Sequence, residues 1–111
     1  MTKIVVITGA AGGLGLALAE IFAKSEYHSV LLDIKQASLE EAMNYLKKQQ
    51  LECSGYICDV TDENSVQQVV FTILKKWEGI DVLINNAGLQ FVAPIEEFPV
   101  AKFKQLLDVM L

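Results

Sequence analysis

The sequence predicts a doubly wound α/β domain whose parallel sheet has the strand order 3-2-1-4. Three observations predict it. Short apolar runs alternate strictly with helical stripes along the chain. The first run ends on a cluster of glycines. Apolar residues make up 52% of the 111 positions, enough for one globular core. Strict alternation of strand and helix implies parallel strands joined by right-handed crossovers.

Lys3 to Thr8 is a β-branched run that reads as a strand buried on both faces. A helix follows from about Gly13, with Leu14, Ala17, Leu18, Ile21 and Phe22 at helical spacing. Ser29 to Asp33 forms the second strand. The second helix places Leu39, Ala42, Met43 and Leu46 on one face, and Ser38 with Glu41 reads as a capping box at its start. Cys53 to Val60 is the third strand. Thr61 and Asp62 are the candidate caps of a third helix, which carries Val66, Val69, Val70, Ile73, Leu74 and Trp77 in register and ends around Gly79. Asp81 to Asn85 is the fourth strand. After a loop holding Pro94 and Pro99, a fourth helical stripe comprises Phe103, Leu106, Leu107 and Met110.

No repeat, low-complexity tract or linker divides the chain, so residues 1–111 read as one domain. A sheet ending on Val82, Leu83 and Ile84 would leave an open edge, and the fourth stripe runs to Leu111 without a glycine or polar cap. Both features suggest a longer parent chain.

The net charge of −5 argues against nucleic acid or an anionic membrane surface as partner, because phosphates would be repelled. The longest apolar runs are too short to span a bilayer, and the N-terminus lacks the order of a signal peptide, so the expected setting is cytoplasmic. Cys53 and Cys58 are separated by an odd number of positions, which on a strand sends their side chains to opposite faces and rules out a shared metal. They read as small core residues of a reduced protein. His28 falls between a helix and a strand with no second ligand beside it, and reads as a solvated surface residue. No metal site is expected.

The segment Thr8-Gly9-Ala10-Ala11-Gly12-Gly13-Leu14-Gly15 lies between a predicted strand and a predicted helix. That setting gives a glycine triplet chemical meaning. Gly9 can make the tight turn out of the strand, Gly13 lets backbone approach a pyrophosphate, and Gly15 lets the helix pack close to the sheet. Gly12 and Leu14 complete the turn, and the helix N-terminus offers free N–H groups and a positive dipole end to phosphates. A merely structural glycine turn is the alternative. Asp33 favours the functional reading, since it stands at the tip of strand two, where a Rossmann-type motif requires an acid for the adenosine ribose. A carboxylate there also repels a 2′-phosphate by ~1–4 kcal/mol, or roughly tenfold to a thousandfold against NADP. Lys35 stands near enough to soften this, while Ala10, Ala11 and Gly12 supply no arginine. The expected cofactor is NAD. By the residues alone, Asp59 could equally contact the adenosine or start the turn into helix three through Thr61.

At these residues the sequence resembles the short-chain dehydrogenases/reductases. Their T-G-x-x-x-G-x-G pattern is similar to Thr8–Gly15, their adenine-site Asp-Val to Asp59-Val60, and their N-N-A-G to Asn85-Asn86-Ala87-Gly88. The resemblance covers this whole chain but only the N-terminal part of the family's usual length. It implies that Asp59 accepts from the adenine amino group, that Val60 contacts the ring, and that Asn86, Ala87 and Gly88 brace the sheet beside the cofactor ribose. The stretch from Asn86 to Pro99 resembles the 3-hydroxybutyrate dehydrogenases, in which the glutamine matching Gln90 helps hold the substrate carboxylate. A histidine is commoner where this chain has Phe91, and Gln90 as a loop residue with no ligand stays open.

The family's serine and its Tyr-x-x-x-Lys pair have no match here. Tyr27, Tyr45 and Tyr56 are followed four residues on by Leu31, Gln49 and Val60. Met110 stands where the family usually has asparagine and cannot donate an amide's hydrogen bonds. No catalytic residue is assigned, and negligible dehydrogenase activity is expected of these residues alone. The leading reading is the cofactor-binding part of an oxidoreductase acting on a small hydroxy acid. The alternative is a non-catalytic dinucleotide-binding or interaction module, using the open strand-four edge and helix four; a methyltransferase is disfavoured by the N-N-A-G turn. Helix four forms part of the subunit contact in the resembling family, so a homo-oligomer is expected.

Overall fold

A computed structural model describes residues 2–86 and the backbone of 91–94. The elements run β1 (Lys3–Thr8), α1 (Gly13–Lys24), β2 (Tyr27–Asp33), α2 (Gln36–Lys47), β3 (Cys53–Ile57), α3 (Glu63–Trp77), β4 (Val82–Asn85) and β5 (Phe91–Pro94). The sheet order is β3-β2-β1-β4-β5. The first four strands are parallel, β1 lying between β2 (Val5↔Ser29, Thr8↔Leu32) and β4 (Val5↔Val82, Thr8↔Asn85). The predicted 3-2-1-4 order is therefore the observed one.

Alternation along the strands divides the core in two. Ile4, Val6, Val30, Leu32 and Leu83 meet Val66, Val69, Val70 and Ile73 of α3. Val5, Ile7, Leu31 and Ile84 meet Ala19 of α1 and Leu39, Ala42 and Leu46 of α2 on the other face. Cys53 belongs to the second cluster and Cys58 to the first, on opposite sides as their spacing requires. Helix α1 buries only Gly15, Ala19 and Ala23, so it lies close to the sheet, while Leu14 and Ile21 of its apolar stripe face outward. At the base of the sheet, Asp81 clasps β1: its carboxylate accepts from the Ile4 N–H at 2.7 Å and its own N–H donates to the Ile4 carbonyl at 2.9 Å.

Several local expectations change. The edge of β4 is not open, because β5 pairs with it antiparallel from Asn85↔Phe91 to Val82↔Pro94, where a loop was expected. Strand β3 stops at Ile57, its last ladder bond running from the Cys58 N–H to the Asp33 carbonyl at 2.9 Å. Helix α2 starts two positions before Ser38 and has no side-chain cap, so the expected capping box is absent. Just before the helix, Asp33 Oδ1 accepts from the N–H groups of Ile34 at 2.8 Å and Lys35 at 3.4 Å. Helix α3 does begin at the expected cap, Asp62 accepting from the Asn64 N–H, and it ends on Glu78 in the left-handed region (φ 66°) one position before Gly79.

His28 is also corrected. It lies inside β2, not in a surface turn, and its side chain is only 13% exposed. The ring packs on Trp77 with centroids 4.8 Å apart, and Nε2 lies 2.8 Å from Ser54 Oγ.

Candidate functional site

The site forms where the C-terminal ends of β1, β2 and β3 meet the start of α1. Gly9 leaves β1 with φ 63° and Gly13 enters the helix with φ 57°, both in the region that side-chain-bearing residues avoid. Between them Gly12 is extended and acts as the N-cap of α1 without any side-chain hydrogen bond. The N-cap therefore supplies no side-chain acceptor to the first-turn N–H groups of α1, and no acidic residue lies in that turn. A Cβ on Gly12 or Gly13 would meet nothing within 4 Å, so the cradle is open on that side. At Gly15 the opposite holds: a Cβ would collide with the Gly9 carbonyl oxygen and lie 2.8 Å from Asn86 Nδ2 and 2.9 Å from Ala10 Cα.

Beside this turn, Gly9, Asp33, Ile34, Cys58, Asp59 and Val60 line a cleft of about 130 Å³. Asp33 caps β2 and its Oδ2 accepts from the Ala11 N–H at 3.0 Å. Asp59 lines the cleft and also makes the turn into α3, its Oδ1 accepting from Thr61 N–H at 3.0 Å and Thr61 Oγ1 at 2.6 Å. The helix-start reading of Asp59 is therefore the observed one, and the same residue lines the cleft. The Thr61 hydroxyl and N–H hold its carboxyl below the ordinary aspartate range.

On the other flank, the Asn86 side chain donates to the Gly9 carbonyl at 3.2 Å and its N–H to Thr8 Oγ1 at 2.9 Å. The Thr8 hydroxyl donates to Asn85 Oδ1 at 2.9 Å, while the buried Asn85 Nδ2 has no partner among the described residues. Asn86 thereby ties the end of β4 to the glycine turn.

The structure thus brings together Gly9, Gly12, Gly13, Leu14, Gly15, Asp33, Asp59, Val60 and Asn86. Ala87, Gly88 and Gln90, together with the fourth helical stripe, lie outside the described residues. Ile34 and Cys58 were missed as cleft residues. The signal for Ile34 was its place directly after the strand-tip acid, where a large apolar side chain is 58% exposed; Cys58 had none beyond its position before Asp59. Tyr27 and Tyr56 pack against the two core clusters, and Tyr45 is exposed on α2. Among the described residues no group of His, Cys, Asp and Glu could hold a metal ion, and no helix is long and apolar enough to cross a membrane.

The short chain dehydrogenase family matches residues 3–111. This chain belongs to that family. An uncharacterized oxidoreductase of Bacillus subtilis, YxjF, is 39% identical over 109 residues, which cover 98% of this chain and 42% of that protein. Among solved structures, L-sorbose reductase from Gluconobacter frateurii, complexed with NADPH and L-sorbose, is 38% identical with a TM-score of 0.73, over 79% of this chain and 34% of that one. A short chain dehydrogenase/reductase from Burkholderia phymatum in complex with NAD is 33% identical with a TM-score of 0.74, over 79% and 31%. The chain spans about two fifths of the length of the curated short-chain dehydrogenase relatives it matches.

Proposed function

We propose that this chain is the cofactor-binding part of an NAD-preferring short-chain oxidoreductase acting on a small hydroxy acid or keto acid such as 3-hydroxybutyrate. The observation that carries the reading is that Asp33, Asp59 and Val60 line one cleft together with Gly9, at the glycine turn that leads into the uncapped start of α1. The residues fit a dinucleotide. Open space at Gly12 and Gly13 and the free end of α1 suit a diphosphate, and the cleft lined by Asp33, Ile34, Asp59 and Val60 suits an adenosine. The nicotinamide supplies the group that accepts or returns hydride. The chain's own contribution is to bind and orient it; Asn86 braces the turn, and the amide of Gln90 is suited to a substrate carboxylate.

Relatives with NAD and with NADPH are both known, so the preference rests on this chain's residues. Asp33 places a carboxylate where a 2′-phosphate would come, and the chain contains no arginine to pair with one. Because Asp33 is partly exposed, the lower end of the electrostatic range applies, about tenfold in favour of NAD. Calorimetric titration of the chain with NAD and NADP side by side tests both parts. Equal affinities would remove the preference, and no binding of either would remove the cofactor reading. With no Tyr-x-x-x-Lys pair present, no turnover of 3-hydroxybutyrate is expected from these 111 residues alone.

A further inference from the structure

We infer that Asp33 is a positioning residue for the glycine turn as well as a reader of the ribose: its carboxylate shapes the diphosphate cradle through Ala11. The inference rests on the cofactor reading above and adds a second role to one of its residues. The tip of β2 holds two successive amides of the turn, Ala10 N–H on the Leu32 carbonyl at 3.2 Å and Ala11 N–H on Asp33 Oδ2 at 3.0 Å. From the other side Asn86 Nδ2 holds the Gly9 carbonyl at 3.2 Å. With Ala10 and Ala11 turned toward β2, the chain continues through extended Gly12 and left-handed Gly13 into the uncapped first turn of α1. Release of Ala11 would free the segment that aims those amides.

The carboxylate is already well used. An ionised carboxylate offers about four lone-pair positions. Ala11, Ile34 and Lys35 take three of them, the bond from Lys35 being long at 3.4 Å. One position on Oδ2 is left for a ribose hydroxyl, and a grip on both hydroxyls of the diol requires the Lys35 bond to yield. Removing the carboxylate should then loosen the cradle shared by NAD and NADP instead of handing specificity to NADP.

The test uses 2′,3′-dideoxy-ADP, which keeps the diphosphate and adenine but has no diol for Asp33 to read. If Asp33 acts on the ribose alone, Asp33→Ala binds this probe as well as the unsubstituted chain or better, since a negative charge near the diphosphate is gone. If Asp33 holds the turn, the variant binds it ~3- to 10-fold more weakly, the scale of one lost hydrogen bond. Amide exchange at Ala11 in the ligand-free chain then accelerates while Val5 and Val6 in β1 exchange unchanged. Asp33→Asn keeps a carbonyl acceptor for Ala11 without the charge, so it should retain the Ala11 protection while losing discrimination between NAD and NADP. If Asp33→Ala does not fold, Asp33→Ser replaces it, because a serine hydroxyl is too short to reach Ala11. Unchanged or tighter probe binding, or unchanged exchange at Ala11, overturns the inference. If the unsubstituted chain binds neither NAD nor the probe, the cofactor reading fails and Ala11 exchange alone decides the positioning role.

Discussion

One methyl group separates the behaviour of two glycines in the same turn. At Gly15 an added Cβ presses on Gly9, Ala10 and Asn86, all parts of the turn or its brace, so relief requires moving α1 off the sheet. Gly15→Ala should therefore cost about 1–3 kcal/mol, the usual penalty for overpacking, and lower the thermal midpoint by several degrees. Gly12 is extended with open space around it, and Gly12→Ala should fold with unchanged stability yet weaken NAD, because the new methyl stands where the diphosphate would approach. Thermal unfolding paired with NAD titration separates the two; equal melting temperatures for both variants would contradict this account. The close packing at Gly15 was legible in the spacing of the glycines. The hydrogen bond from Ala11 to Asp33 was not, because it depends on which backbone amides come within reach of a carboxylate.

At the scale of elements, helix starts show where sequence suffices. Asp62 caps α3 through a neighbour two residues away, a local device that can be read directly, and Asp62→Ala should cost about 1 kcal/mol in urea unfolding. The start of α2 has no such side-chain cap and lies two positions before Ser38, which is why the apparent box there misled. His28 belongs to this scale too, since its ring joins β2 to Ser54 of β3 and Trp77 of α3. Burial lowers its pKa below the ordinary 6.5, nearby Lys76 adds to the lowering, and Glu52, with Oε2 3.9 Å from Nδ1, opposes it. The unfolded chain thus takes up the proton first. Stability is complete above about pH 6.5 and declines as the pH falls through that value toward the lower folded pKa. The urea midpoint should drop between pH 7.5 and pH 5.5, and by less in His28→Gln; an equal drop in both would show that His28 is not the source.

Over the whole molecule the sheet separates two apolar layers, and each holds one cysteine. Burial raises both thiols above their ordinary range, so neither is an exposed thiolate at neutral pH, and above pH 9 their ionisation favours the unfolded chain. Reaction with a disulfide reagent at neutral pH should be slow for both and become fast only on denaturation. Rapid native labelling of either would mean that its layer opens on its own. The strand order was legible because crossovers between parallel strands have a fixed hand. The β5 pairing was not, since Pro94 reads as a loop residue and a strand's end at a sheet edge tolerates it only in context. The Asp81 clasp on Ile4 was equally hidden, joining positions 77 residues apart. That distance sets a timetable for synthesis. At about 5–20 residues per second, the ribosome needs roughly 4–15 s between making the first strand and the partner that seals its far side. Throughout that interval a strand destined for burial at five of its six positions carries a bare ladder of amides and carbonyls, and it is there that a chaperone would be most useful.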